Sequence, residues 1–325
     1  MSRSNRHHRE PFTTSSSGGY TTAVQLSIIV CIVDGGAQLG RCLAALAGQR
    51  NAPSLDVIVP WDDHVTGIET VAAQYPQFRF PAIGAVETVQ APDSHAGLHE
   101  LYDRRRTVGL HAATGDLVGL LEDRSVPEPD WAERAVALHA TLPNGVIGGA
   151  LADGRHTLVG HADYLCDFYR YQPPFASGPR DFVSYVNICY KRSALEQTRA
   201  VWSGTYYDLE VHNALAALGE RLWLASELRV QQQRGDGERL GMLIGERFAW
   251  GRRFAEHRTR ASEGGGRWRF ALQSPLVPFV LWLRVMQRQR TAGSLARAVA
   301  ATPAMLLIFG AWGFGELLGS LSPAS

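Results

Sequence analysis

Residues 104–131 read RRRTVGLHAATGDLVGLLEDRSVPEPDW, and the order of signals inside this stretch sets the architecture. Its first ten positions continue a helix expected over residues 98–113, which Gly115 ends. Residues 117–121 (LVGLL) form a short unbroken apolar run, the mark of a strand covered on both faces, and Glu122, Asp123 and Arg124 stand directly at its exit. After Pro127 and Pro129 comes an amphipathic helix over residues 131–140, with Asp130 placed as its N-cap. A buried strand with a charged exit followed by a helix is the repeating unit of a parallel α/β sheet, in which ligands bind beyond the carboxyl ends of the strands.

Working outward, residues 26–33 (LSIIVCIV) are another continuous β-branched run followed by Asp34, and residues 39–49 carry apolar positions at helical spacing. Residues 55–59 (LDVIV) form a second short strand, beyond which lie Asp62 and Asp63. The opening is therefore β-α-β, and the fold class is α/β: a Rossmann-like, mostly parallel sheet flanked by helices. Further on we expect a helix near residues 67–75, a weak strand at 86–90, strands at 146–150 and 186–190, a helix at 208–218, and two strand pieces at 221–224 and 228–232. The aromatic, proline-rich stretch 160–184 reads as a long loop over the sheet.

The chain has 325 residues, 45% of them hydrophobic and 19% charged, which excludes disordered, collagen-like and coiled-coil proteins. A net charge of +1 gives no overall field to attract nucleic acid, and no nucleic-acid partner is expected. Four cysteines without a C-x-x-C pair fit a reduced, cytoplasmic compartment. Residues 1–25 are polar and read as a flexible tail. Charge is unevenly spread: residues 229–297 hold 14 arginines against five acids. Two apolar segments, 270–283 and 298–315, accompany this basic region. The second is about 27 Å long as a helix, slightly short of a ~30 Å hydrocarbon core. Basic flanks with Trp282 and Trp312 point to a membrane surface, and Pro275, Pro278 and Pro303 argue against straight spanning helices. The expected organisation is a tail (1–25), a catalytic domain (26–262) and C-terminal membrane-associated helices (263–325) on the cytoplasmic face.

Asp34, Asp62, Asp63, Glu122 and Asp123 fall at the ends of three buried strands and so converge on one rim of the sheet. A rim of carboxylates suits hydrogen bonding to a ribose and base, and oxygen ligation of a hard divalent cation on a diphosphate.

With these residues in place, the chain resembles glycosyltransferase family 2, nucleotide-sugar enzymes of the GT-A fold, over roughly residues 26–258. SIIVCIVDGG with LGRCLAALAGQ resembles the family's opening strand and helix, DVIVPWDD its second strand, and residues 104–131 its run from an Arg-Asn-x-Gly element through Ala-x-Gly-Asp to Asp-x-Asp and Pro-x-Pro-x-Trp. SYVNICYKRSAL resembles the acceptor-side Gly-x-Asn segment, and GTYYDLEVHNALAALGERLWL the Glu-Asp element that carries the catalytic base. The resemblance implies an inverting, membrane-associated hexosyltransferase in polysaccharide or glycolipid synthesis. It would take a nucleotide diphosphate sugar and pass the sugar to a glycan or lipid hydroxyl, or to a lipid phosphate.

By position, the resemblance places the nucleotide on Asp34, Asp62, Asp63 and Arg106, the diphosphate on Arg124, and a divalent metal (Mg²⁺ or Mn²⁺) on Glu122 and Asp123. It puts the acceptor near Trp131 and Asn187, and the general base at Asp208 with Glu210 as rival. Two departures stand out. Thr107 replaces the usual Asn, and Arg124 replaces the last carboxylate of Asp-x-Asp. Either Asp123 takes over as ligand, or Arg124 turns outward, or its guanidinium itself neutralises the diphosphate. Arg124 and Tyr207, which stands where the Glu is usual, also leave room for a non-catalytic sugar-nucleotide-binding or scaffold subunit of a polysaccharide assembly complex.

Overall fold

A computed structural model describes residues 25–92, 94–234, 239–260 and 266–321. Apart from Gln25, the expected tail lies outside the described residues. The three apolar runs form adjacent parallel strands, β1 (Leu26–Cys31), β2 (Leu55–Ile58) and β3 (Leu117–Glu122), with Ile28 beside Val57 on one side and Gly119 on the other. All six residues of β1 and of β3 are buried. Both faces of the sheet are covered, and each fully buried Leu, Ile or Val adds about 1.5–3 kcal/mol over an exposed one.

The sheet continues through β4 (Ser125–Pro127), β5 (Val146–Asp153), β6 (Gly178–Arg180), β7 (Asn187–Lys191) and β8 (Leu222–Gln232), in the order β2-β1-β3-β7-β5-β8-β4, with β6 paired to β8. β1, β2, β3, β5 and β8 point the same way, and β4, β6 and β7 run against them. The expected mostly parallel α/β sheet is thus what forms. The two strand pieces at 221–232 are one strand, interrupted where Ala225 pairs with Gly149 but Arg229 with Ala150. No strand forms at 86–90.

Helices α1 (Gly36–Ala47), α2 (Ile68–Gln74) and α4 (Trp131–Thr141) share one hydrophobic cluster with the sheet, while α3 (His95–Ala112), α6 (Arg192–Gln197), α7 (Arg199–Trp202) and α8 (Asp208–Ala217) supply residues to a second. Asp130 makes no capping hydrogen bond to α4; it accepts one from Arg134 Nη2 instead, at 2.7 Å.

The expected loop at 160–184 contains α5 (Leu158–Phe168), capped by Thr157 Oγ1, which accepts from the Gly160 N–H at 2.9 Å. α5 seeds a third cluster with α9 (Leu240–Arg260), α11 (Val277–Ala292) and α12 (Leu295–Leu321). Between α10 (Gly266–Gln273) and α11, a 3₁₀ turn at Ser274–Leu276 breaks the first apolar segment beside Pro275 and Pro278, as rings without an N–H require.

The second apolar segment is the core of α12, the one described helix long and apolar enough to cross a membrane, with mean hydropathy 1.6. It is welded to α9 by glycines: a Cβ on Gly251 would collide with Trp312 O, on Gly315 with Phe248 O, and on Gly319 with Arg252 O. Arg258 on α9 pairs with the buried Glu316 of α12 at 2.5 Å. The C-terminal helices therefore pack as a layer on α5 and α9.

Candidate active site

Parallel pairing brings the exits of β1 and β3 together, and the charged residues there pair with one another. Arg124 donates from Nε to Asp34 Oδ2 at 2.8 Å and from Nη2 to Asp34 Oδ1 at 2.5 Å. Asp123 is buried beneath them, its Oδ2 accepting the backbone N–H groups of Asp34 (3.0 Å) and Gly35 (2.6 Å). Burial and the nearby Asp34 charge push its carboxyl up to about 7. Glu122 Oε1 accepts from Arg106 Nη2 at 3.1 Å, and Arg106 also donates to Asp103 Oδ1 at 2.9 Å while stacking on Tyr185, 4.3 Å from the ring centre. Burial raises Glu122 above the usual carboxylate range, against the pull of Arg106 and Arg124.

This donor set does not fit a divalent ion. Asp123 Oδ2 is held by the turn after β1, which leaves its buried Oδ1 as a single unpartnered carboxylate oxygen, Glu122 and Asp34 each face a guanidinium, and Arg124 stands where the resemblance would put the last carboxylate. Among the described residues, no group of three or more His, Cys, Asp or Glu side chains is placed to hold a metal. The cationic groups on this rim are Arg106 and Arg124.

Asp62 lies just past β2 with its side chain turned inward. It is fully buried, accepting from Arg105 Nε at 2.6 Å and from the His64 N–H at 3.0 Å. Burial opposes its ionisation, but the Arg105 hydrogen bond and charge prevail and hold it below the usual range. Arg105 also donates to Ile32 O at 2.6 Å, so the pair ties α3 to the end of β1. Asp63 is exposed.

The two expected acceptor residues lie in the core. Trp131 and Asn187 are fully buried; Trp131 Nε1 donates to Asn187 Oδ1 at 2.8 Å, and Asn187 Nδ2 donates to Ala150 O and Leu228 O at 3.0 and 2.9 Å. All their polar groups on this path are satisfied internally, so their role is to lock α4 and β7 against the bulge of β8.

Asp208 opens α8 and lies where two cavities meet. One, of about 340 Å³, is lined by Glu122, Arg124, Tyr102, Tyr171, Tyr185 and Asp208 among others. The other, of about 180 Å³, is bounded on its polar side by Asp103, Arg106, Tyr206, Tyr207, Asp208 and Arg253. Burial pushes the Asp208 carboxyl up to about 6, with Arg106 pulling the other way. Glu210 is exposed on the same helix and borders neither cavity.

His99, Trp250 and Trp312 border both cavities, and sequence reasoning did not assign any of them to the site. His99 packs edge-on to Trp250 at 4.6 Å, and burial lowers its pKa to about 3, which keeps it neutral. The run GERFAWGRRFAEHR around Trp250 was the visible signal, being aromatic and arginine-rich at helical spacing.

No protein-family model and no curated protein matches the chain. Among solved structures it is similar to the mannosyltransferase PcManGT from Pyrobaculum calidifontis in complex with GDP-Man and Mn²⁺, at 15% identity over 86% of this chain and 74% of that one, TM-score 0.49. It is also similar to S. aureus TarS 1–349 in complex with UDP-GlcNAc, at 13% identity over 90% of each chain, TM-score 0.49. These are likenesses of fold, and the roles assigned below rest on this chain's own residues.

Proposed function

We propose that the chain is an inverting glycosyltransferase that moves a hexose from a nucleotide diphosphate sugar to an acceptor hydroxyl. The observation that carries this reading is the position of Asp208, a half-buried carboxyl shared by a cavity with Arg124 and Glu122 at its wall and a second cavity beside it. The donor occupies the larger cavity, with Asp34 and Asp63 toward the nucleoside and the diphosphate beside Arg124. The acceptor hydroxyl enters from the smaller one. Asp208 takes its proton, the hydroxyl oxygen bonds to the anomeric carbon, and the bond to the diphosphate oxygen breaks with its electron pair leaving on the nucleotide. A single displacement inverts the anomeric centre. Arg124, with Arg106 behind it, stabilises the charge that develops on the leaving group.

Membrane attachment is part of the same proposal. Trp268, Leu272, Leu276, Phe279, Val280 and Leu283 are 64, 79, 62, 59, 43 and 50% exposed, spaced to form one ridge along α10 and α11. Between Glu263 and Glu316 the chain carries six arginines and no acid. An apolar ridge with only cationic neighbours matches the surface of an anionic bilayer, into which such a face sinks without spanning it.

The test is thermal-shift screening of GDP-, UDP- and dTDP-sugars, followed by assay of nucleoside diphosphate release. A donor at 100 times its Kd stabilises the native state by about 2.7 kcal/mol. A screen in which no nucleotide sugar moves the Tm refutes the reading.

A further inference from the structure

Three cavities share one partition. Trp250 and Trp312 border the donor cavity, the cavity on the far side of Asp208, and a third of about 200 Å³ bounded by Cys166, Asp167, Arg247, Leu281 and Phe309. The third lies between α5, α9, α11 and α12, and Leu281 comes from the inner side of the helix whose outer side carries Phe279, Val280 and Leu283. Phe254, Trp250, Trp312, Leu281 and Phe309 thus supply apolar wall between Asp208 and the helix of the exposed ridge, with the Asp167–Arg247 pair as the charged part of the third cavity's lining.

The polar end of this path holds an arginine that makes no close ion pair among the described residues. Arg253 borders the cavity of Asp208, and among the described residues it has no ion-pair or hydrogen-bond partner. Its charge still reaches Asp103 and His99. Arg106, Arg124, Arg155, Arg234, Arg247 and Arg258, by contrast, all face carboxylates. A half-buried guanidinium left open beside a general base is placed to hold an anion next to the reacting hydroxyl, where its fork suits a phosphodiester.

We propose that the acceptor is a hydroxylated anionic phospholipid: its head-group hydroxyl lies on Asp208, its phosphodiester on Arg253, and its acyl chain runs between Trp250 and Trp312 toward α11. This rests on the glycosyl-transfer reading above and adds the acceptor class to it. The bonds exchanged are those of the displacement already described, with the head-group oxygen as the atom that joins the sugar and its proton passing to Asp208. A soluble glycan needs neither the open arginine nor an apolar route from the base to the ridge.

The experiment uses the full chain, the nucleotide sugar with the largest thermal shift, and vesicles of phosphatidylcholine with or without phosphatidylglycerol. The sugar is traced into the chloroform-soluble and aqueous fractions. Label should enter the lipid fraction only when phosphatidylglycerol is present. Arg253→Gln should raise KM for phosphatidylglycerol about tenfold, the loss of one charge-assisted contact, while the donor-induced thermal shift stays as in the parent. Leu276→Asp with Phe279→Asp should stop the protein floating with vesicles, yet leave transfer to a short-chain, micelle-free phosphatidylglycerol intact, which shows that the double variant is folded. Label that stays in the aqueous fraction with phosphatidylglycerol present, or an Arg253→Gln variant with unchanged lipid KM, overturns the acceptor assignment while the transferase reading stands. Absence of any donor-induced shift overturns both.

Discussion

Arg124 lies fork-to-fork on Asp34, two parallel hydrogen bonds of 2.8 and 2.5 Å across the exits of β1 and β3. The pair is partly open, its side chains 15 and 27% exposed, so an incoming diphosphate can compete with Asp34 for the guanidinium. Transfer should then proceed unchanged in EDTA. Arg124→Gln should lower kcat by about 10²–10³, the usual effect of removing one preorganised electrostatic contact to a leaving group. Loss of wild-type turnover in EDTA, regained with Mn²⁺, counts against the arginine.

Asp208→Asn should cut kcat by at least about a hundredfold and leave the donor-induced thermal shift in place, because the base acts on the acceptor. Glu210→Gln, on an exposed position of the same helix, should keep near-parental turnover. A tenth or more of parental kcat in the Asp208 variant would refute the assignment.

The pH profile follows from the same carboxyl. Asp208 must be ionised to accept a proton, and its folded pKa is raised to about 6. The rate should therefore fall about tenfold per unit below pH 6 and level off above it. Asp103, also raised to about 6, shares the cavity, so the variant that decides between them is Asp103→Asn. It should retain the acid limb.

Stability should respond to pH with two opposite signs. Asp163 is buried among Arg155, Arg234 and Arg247; burial alone would raise its pKa, but the three guanidiniums override it and lower it far below the usual value. Its contribution is present above about pH 4 and is lost as pH falls. Asp123 is raised to about 7, so what its neutral form contributes is present at low pH and is lost as pH rises through 7. Asp163→Asn should destabilise by about 3–5 kcal/mol near pH 7, since it strands buried cations. In chemical denaturation, a shift below 1 kcal/mol would show that the network is not what holds α5.

The opening half of the fold was legible because buried parallel strands write themselves as unbroken apolar runs, as at 26–33 and 117–121. α5 was not. Its inner face carries His161 and Asp163, and of the three arginines that neutralise Asp163 only Arg155 is near in sequence; Arg234, just past β8, and Arg247 on α9 lie 71 and 84 positions along the chain. No local periodicity records that pairing. The rim was legible as a set of strand exits, but which carboxylates stay available depends on Arg105 and Arg106, successive residues of α3 that capture Asp62 and Glu122 respectively. Trp131 and Asn187 matched by position, and yet their side-chain hydrogen bonds among the described residues run to each other and to backbone carbonyls. Trp250 and Trp312 come together only through the packing of α9 on α12, 62 positions apart in sequence.

The glycine seam between α9 and α12 bears on sidedness. α12 is about 40 Å long, enough to reach across a bilayer. Yet its final turns touch the backbone of α9 at Arg252, and Glu316 is held by Arg258. Carrying those turns to the opposite leaflet would drag two arginines and a carboxylate through hydrocarbon or tear the seam open. Whatever surface receives the ridge of α10 and α11, the seam therefore holds the last turns of α12 and α9 together as one body.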